Sequence, residues 1–339
     1  MEELSIRFEF VGNGDCIIIE WKGEGGSQIG VVDCNSSGRP NPVVQRLEQK
    51  EYDQVKFVVM SHPHHDHFSG LLPVLEYCAS EKVPIGFFAY TTREIPYYIQ
   101  SLALSNNESD NLADIFRLMR KIEEDGLITD RGVGTDQTRA IEMGGGVKME
   151  FLAPSEKERD KFAKTLYVED DGELKIRDKP NANLVSSVLM IHSDDWHLLL
   201  TSDAEHSTLK RIGLKRLNKD YRLLRLGQVP HHGSKSNHYK EFWKKREHIP
   251  GTPSPISVGP NPYGHPSTHV IDEMQDRLGY EVHTTGEVEQ VNESEISSDL
   301  DLISEVVNKD AQLSSDVTLV YRIDPTSTDL PVLETIPHR

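Results

Sequence analysis

Residues 61–70 read SHPHHDHFSG, which puts four histidines and an aspartate into the six positions from His62 to His67. Imidazole and carboxylate are good ligands for zinc, manganese and iron. Read as His-x-His-x-Asp-His, the stretch can offer His62 and His64 to one ion from a short loop. Asp66 and His67 can turn to a second ion a few ångströms away. His65 is left over as a spacer, and Pro63 restrains the backbone between the first two ligands. A histidine-rich surface loop is the competing reading. Against it, the cluster follows an apolar run, KFVVM (56–60), and further ligand types recur downstream in the same setting.

Two ions close together need a shared anion. Asp203, in LLLTSDAE at the end of another apolar run, can bridge them, and the same side chain can cap the helix that follows. VPHHGSKSNH supplies His231 and His232. Adjacent side chains point in different directions, so one imidazole can reach a metal while the other reaches substrate. His265, in the Pro/Gly-rich loop PNPYGHPSTH, suits substrate contact or proton donation better than ligation, with a metal role open. His192, His197, His206, His238, His269 and His283 read as ordinary strand or surface residues.

Rigid elements must hold these groups. LSIRFEFV (4–11) alternates apolar and polar with period two and reads as a half-buried strand. After a GNGD turn come CIIIEW (16–21), IGVVD (29–33) and KFVVM, with PVVQRLEQK as a short helix between the last two. VSSVLMI (185–191) and WHLLLT (196–201) form a hairpin, and LLRLGQV (223–229), PISV (255–258), YEVHTT and DVTLVYRI (316–323) add strands. THVIDEMQDRLG reads as a helix. Active residues at the carboxyl ends of strands are a common layout in α/β proteins. Residues 93–143 carry helical apolar spacing at Leu112, Ile115, Phe116, Met119 and Ile122 and read as a helical insertion or lid, with Gly126 as its stop. The charged segment 155–182 reads as a mobile excursion, and 287–315 as an acidic loop or arm. The rest of 1–339 reads as a single domain without internal repeats.

Composition narrows the classes. Apolar residues make up 36% of the 339-residue chain, enough for a buried core. No stretch approaches a membrane span, and the acidic N-terminus does not read as a signal peptide. Three scattered cysteines argue against a disulfide framework and fit a reducing cytoplasm. The net charge of −18 opposes general duplex binding, which rests on Lys and Arg neutralising phosphates, although a small basic cleft or bound metal ions can still supply positive charge locally.

Through His62–His67 the chain resembles the metallo-β-lactamase-fold hydrolases. It is more similar still to the branch containing the hydrolase domain of the DNA-uptake protein ComEC. The shared motifs are VGNGDC (Gly12, Gly14, Asp15), GVVDCN (Asp33), NLVSSVLMI (Asn183, Ser186), LLTSDAE, HHGS (His231 to Ser234) and YGHP (Tyr263 to Pro266), in order over residues 4–285. The resemblance implies an αββα four-layer sandwich with metals at one edge. It implies two divalent ions, zinc or manganese, with His62 and His64 on one and Asp66, His67 and His232 on the other. Asp203 would bridge, and Asp33 would orient a ligand histidine. Many relatives carry a further histidine ligand where this chain has Asn183, which leaves the first metal short of a ligand, with His192 as the alternative. Ser202 stands where glycine is usual. No membrane channel is present, so DNA uptake itself is not inherited.

The reaction class follows from the metals, which would turn water into a hydroxide nucleophile near neutral pH. Asp66 would orient it. His231, steered by Glu205, and His265 would bind a phosphoryl oxygen or protonate the leaving group, while Ser234, Lys235 and Tyr263 add substrate contacts. A phosphodiester fits best, either in a nucleic acid strand or in a small nucleotide, which makes the chain a phosphodiesterase or nuclease. Hydrolysis of a lactone, thioester or amide is the alternative enzyme class. A non-catalytic module that recruits protein partners through the insertion or the acidic arm is the third reading.

Overall fold

Each apolar run becomes a strand whose residues alternate between two buried faces. In the computed structural model, which describes residues 1, 3–23, 26–50, 52–91, 106–168, 174–176, 181–260, 263–288 and 316–338, strands β1 (Leu4–Phe8), β2 (Cys16–Gly23), β3 (Gly26–Cys34), β4 (Val55–Met60), β5 (Ile85–Tyr90) and β6 (Ile128–Val133) lie in chain order across one sheet. β3 to β6 run parallel, and β1 and β2 run antiparallel to their neighbours. The second sheet contains β7 (Ile141–Gly144), β8 (Val147–Ala153), β11 (Val188–His192), β12 (Trp196–Leu200) and β13 (Leu223–Gly227), in the order β13-β12-β11-β8-β7. A small hairpin of β9 (Leu166–Val168) and β10 (Leu174–Ile176) lies between β8 and β11 in the chain. β14 (Thr252–Ile256) pairs parallel with β15 (Tyr280–Thr284). β16 (Val317–Ile323) and β17 (Val332–Pro337) then complete the first sheet beside β1.

The cores show four layers. Ile17, Ile19, Val32, Phe57 and Val59 of the first sheet pack against Met149, Phe151, Leu189, Ile191, Leu198 and Leu200 of the second. The intervening residues Ile18, Val31, Val58 and Met60 face the other way, onto helices α1 (Pro42–Gln49), α3 (Leu71–Ser80) and α4 (Asn106–Glu124). Met190, Leu199 and Leu224 of the second sheet face α6 (His206–Lys215), α7 (Lys240–Lys244) and α8 (Thr268–Asp272). Central strands are therefore buried on both faces, which is why they read as continuous apolar runs rather than as alternation. The expected αββα four-layer sandwich is the observed architecture. None of the described helices is long and apolar enough to cross a membrane.

Several boundaries differ from the sequence reading. In the expected helical insertion 93–143, α4 buries Leu112, Ile115, Phe116, Met119 and Ile122, but β6 and β7 are edge strands of the two sheets. This region thus supplies an edge strand to each sheet. Residues 92–105 lie outside the described residues, as does nearly all of the expected acidic arm, from 289 to 315. The segment 155–182 is not simply an excursion. α5 (Glu156–Ala163) starts on a capping box in which Ser155 and Glu158 satisfy each other's backbone N–H groups. Strand β17 was not anticipated; five of its six residues are exposed, so its apolar signal is weak.

Candidate metal centre

The ends of β3, β4, β12 and β13 meet at one edge of the sandwich, and the ligand-type residues sit there. Asp33 lies at the end of β3, Ser61 just past β4, Asp203 just past β12, and His231 and His232 just past β13. α2 (His65–Phe68) carries Asp66 and His67, with His65 on its exposed side.

The GNGD turn braces this loop from below. Gly14 has φ +138°, and a Cβ there would lie 2.3 Å from the Asp66 carbonyl oxygen, so no other residue fits. The next amide, Asp15 N–H, donates to that carbonyl at 3.2 Å. Gln228 then joins the two halves of the centre: its amide donates to Asp15 Oδ2 at 2.9 Å, and its oxygen accepts from the backbone N–H groups of Thr201 and Ser202 at 2.9 and 3.1 Å. Sequence reasoning passed over Gln228; the one signal was an amide ending an apolar strand run.

Hydrogen bonds fix how three imidazoles present themselves. His67 Nδ1 donates to Asp33 Oδ2 at 2.8 Å, and His232 Nδ1 donates to the Ser257 carbonyl at 3.1 Å. Ser61 Oγ donates to Asp33 Oδ2 at 2.6 Å, which leaves its lone pairs to accept from His62 Nδ1 at 3.0 Å. With Nδ1 so engaged, all three rings direct Nε2 toward the centre, the nitrogen that a ligand histidine held in this way presents to a metal. The Nε2 atoms of His67 and His232 and Asp203 Oδ1 are buried without a hydrogen-bond partner. Buried orphans of this kind are costly unless something else satisfies them.

Asp203 divides its two oxygens between two groups of donors. Oδ2 lies 3.6 Å from His62 Nε2, whose neighbour His64 Nδ1 is 3.0 Å away. Oδ1 lies 3.4 Å from His67 Nε2 and 3.7 Å from His232 Nε2, and Asp66 Oδ2 is 3.9 and 3.7 Å from the same two nitrogens. Donors held at about 2.1 Å by one tetrahedral ion would be roughly 3.4 Å apart. The sets His62, His64, Asp203 and Asp66, His67, His232 both have the compactness a metal ion requires.

Charge points the same way. Asp15, Asp33, Asp66 and Asp203 converge here, and among the described residues none of them pairs with a lysine or arginine. Burial alone would raise the Asp203 and Asp66 carboxyls, but the surrounding histidines, His67 foremost, hold both well below the usual carboxylate range. In return His67 is pushed well up against its burial by Asp203, Asp66 and Asp33, and His232 rises to about 9 against its burial, chiefly through Asp66. Burial, then His67, pushes His62 down. Burial also raises Asp33, only partly offset by His67. Four carboxylates against two divalent ions is a neutral count, so the donor set fits a pair of such ions.

The backbone is strained where the donors sit. Of the five described non-glycine residues with positive φ, Asp33 (57°), Ser202 (45°), His231 (50°) and His232 (51°) belong to the centre, and only Lys82 lies elsewhere. Each costs of order 1 kcal/mol, and such residues gather where geometry matters for function.

The remaining candidates fall into place around this core. His231 Nε2 is 3.4 Å from Asp203 Oδ2, beside the clusters and outside both. Its Nδ1 faces the Asn183 side-chain amide at 3.3 Å, so Asn183 holds the position expected of Glu205. Glu205 instead precedes α6 and accepts from Asn181 at 3.0 Å. His192 is not a ligand: it pairs with Glu150 at 3.1 Å, at the far end of β11, roughly 13 Å along the strand from Val188. His265 stacks edge-on to His231 with centroids 5.5 Å apart, and burial, then His231 and His232, push it down to about 4. At neutral pH it is an N–H donor rather than an acid. Tyr263 is exposed and stacks on His265, Lys235 is exposed, and Ser234 is buried against Ser236 at 2.9 Å. Ser202, replacing the usual glycine, donates to Ser61 Oγ at 2.7 Å and so joins the network under Asp33.

No protein-family model matches the chain, and no curated protein does. Among solved structures, zinc-bound PqqB from Methylobacterium extorquens is similar at 12% identity and a TM-score of 0.40, over 79% of this chain and 84% of that one. The metallo-β-lactamase fold protein YhfI from Bacillus subtilis is similar at 10% identity and a TM-score of 0.43, over 83% and 96%. A long form RNase Z from yeast is similar at 11% identity and a TM-score of 0.43, over 84% of this chain and 40% of that one. These are distant likenesses of shape.

Proposed function

We propose that the chain is a dinuclear metal-dependent phosphodiesterase or nuclease of the metallo-β-lactamase fold, on the ComEC-like branch. The observation that carries this reading is the division of Asp203, with Oδ2 toward His62 at 3.6 Å and Oδ1 toward His67 and His232 at 3.4 and 3.7 Å. A carboxylate placed this way would hold a cation on each side, one with His62 and His64 and one with Asp66, His67 and His232. Such a pair, when bound, would supply Lewis acidity and a nucleophile at neutral pH.

The chain's own groups supply the rest. Asp66 is the most exposed of the carboxylate donors, at 32% of its side chain, and can orient water by accepting its hydrogen. His231, fixed by Asn183, can donate from Nε2 to a non-bridging phosphoryl oxygen on the His62–His64 side. The neutral His265 can donate beside it, and Lys235, which makes no ion pair among the described residues, adds a cation for an anionic substrate. A tetrahedral anion suits several N–H donors and one cation grouped on one side of the metals. The acidic remainder of the molecule restricts the substrate to single strands, ends or small nucleotides.

The deciding experiment pairs elemental metal analysis with hydrolysis of DNA, RNA and cyclic nucleotides, for wild type and Asp203→Asn. The reading expects about two equivalents of zinc or manganese and measurable hydrolysis in wild type, with both reduced in the variant. Inactivity of wild type on all three substrates with both metals supplied would sink it.

A further inference from the structure

The metal centre lies at the carboxyl ends of β12 and β13, and an open cleft lies at their other ends. Asp194 and Asp195 before β12, and Tyr221 and Arg222 before β13, line it together with Lys215 and Lys219. Its volume is about 760 Å³, the size of a small-ligand site. Helix α6 connects the two places: it begins just past Asp203 and ends at Lys215, roughly 15 Å away. Lys210 and Leu214 stand exposed along it. The cleft belongs to the basic part of an acidic chain. From His206 to Arg246 there are twelve lysines and arginines against two carboxylates, Asp220 and Glu241, while the whole chain carries −18. Arg222 is held by Asp220 at 2.5 Å and Arg216 by Glu150 at 3.3 Å. Lys215 and Lys219 are exposed and make no ion pair or hydrogen bond among the described residues. Tyr221 is 80% exposed and makes no ring contact or hydrogen bond among them either. Asp194 and Asp195, also exposed, are the opposing charges.

We propose that this cleft is a second binding site for single-stranded nucleic acid, holding a strand whose scissile phosphodiester occupies the metal centre. The proposal rests on the phosphodiesterase reading and narrows it, from diesters of any size to strands that span both places. Lys215 and Lys219 neutralise backbone phosphates, and Tyr221 gives a base a π-face to stack on. Cations and an open ring together hold single strands without regard to sequence. Bases in a duplex are already stacked on one another, so the free ring favours a single strand. Stacked nucleotides advance about 3.4 Å each, so about four of them cover the length of α6. A dinucleotide bound at the metals ends short of the cleft.

The test uses the full metal-loaded chain as wild type, Lys215→Gln/Lys219→Gln and Tyr221→Ala. The substrates are an oligothymidylate of about fifteen nucleotides, long enough for a typical single-strand site, and the thymidine dinucleotide. In about 0.1 M salt the lysine pair is expected to raise KM for the oligomer by roughly 5- to 30-fold. Tyr221→Ala should raise it by roughly 5- to 100-fold, and the dinucleotide should be turned over as by wild type in both. Asp194→Asn/Asp195→Asn, which removes the opposing charges, should lower KM for the oligomer alone. Lysine or tyrosine variants that affect both substrates equally, or neither, overturn the proposal, and so does a higher KM in the aspartate pair. Wild type inactive on both substrates defeats the phosphodiesterase reading instead. Fluorescence anisotropy of the labelled oligomer, uncut in that case, then decides the cleft separately. Affinity lost in both the lysine and the tyrosine variants keeps it, and affinity equal to wild type removes it. Displacement of the oligomer by polyglutamate at lower concentration than by unlabelled oligomer would assign the cleft to an acidic polypeptide and overturn the strand.

Discussion

Ser61 Oγ lies 2.6 Å from Asp33 Oδ2, and through this hydroxyl a single buried carboxylate serves both groups of donors. The same Oδ2 takes the Nδ1 proton of His67 directly at 2.8 Å, while His62 reaches it through Ser61 Oγ at 3.0 Å. Asp33 is thus one link from a donor in each cluster. Partners of this kind fix ring orientation and raise ligand basicity, and losing one typically costs about 10- to 100-fold in metal affinity.

The two links predict different losses. Ser61→Ala keeps the backbone N–H that donates to Asp33 Oδ1 at 2.7 Å but removes the relay to His62. It should weaken the first ion, at His62 and His64, by about tenfold or more and spare the second. Asp33→Asn should weaken both, since an amide cannot accept from Ser61 N–H, Ser61 Oγ and His67 Nδ1 without turning its own NH₂ toward a donor. Stepwise calorimetric titration with zinc reads the two sites separately. Equal weakening of both ions by Ser61→Ala would contradict the assignment.

Ser202 makes a second prediction, about stability. Its φ of +45° lies in the left-handed region, yet its hydroxyl donates to Ser61 Oγ at 2.7 Å and lies 3.4 Å from Asp33 Oδ2. Ser202→Gly loses that hydrogen bond, worth about 1 kcal/mol, and relieves strain of similar size. Ser202→Ala loses the bond and keeps the strain. Glycine should therefore be more stable than alanine here by about 1 kcal/mol, reversing the order seen at ordinary positions. Urea unfolding of the two variants measures the difference, and alanine proving the more stable would show that the backbone is not strained.

These residues also show how much of the centre could be read from the chain. His62, His64, Asp66, His67, Asp203 and His232 were visible because ligand types recur just past apolar runs, and the structure brings them together. The sheets were visible because both faces of β2, β3 and β4 are buried, which leaves long apolar runs. What could not be read depends on contacts between segments distant in the chain. Gln228 reaches Asp15 across 213 positions, and Ser202 reaches Ser61 across 141. No local spacing encodes either bond. The steering of His231 went to Glu205 in the sequence because a carboxylate is the usual partner of a histidine, whereas the fold brings Asn183 there. β6 and β7 were hidden behind the stronger helical signal of α4.

His197 supplies a prediction about pH. It sits fully buried on β12, neither ring nitrogen has a hydrogen-bond partner, and burial pushes it down to about 3, with Asp220 opposing and Arg222, Arg246 and His192 adding slightly. The unfolded chain takes up this proton below about 6.5, where the folded chain does not until about 3. Between those values the unfolded state binds more protons, so folding stability falls as pH falls, by about 2 kcal/mol at pH 5 relative to pH 8 from this group alone. His197→Leu removes the group without breaking a hydrogen bond. Measured with chelator present, so that metal loss is common to both proteins, the variant should gain about 2 kcal/mol on wild type between pH 8 and pH 5. Parallel stability curves for the two proteins over that range would mean that His197 is solvated or paired in the folded molecule.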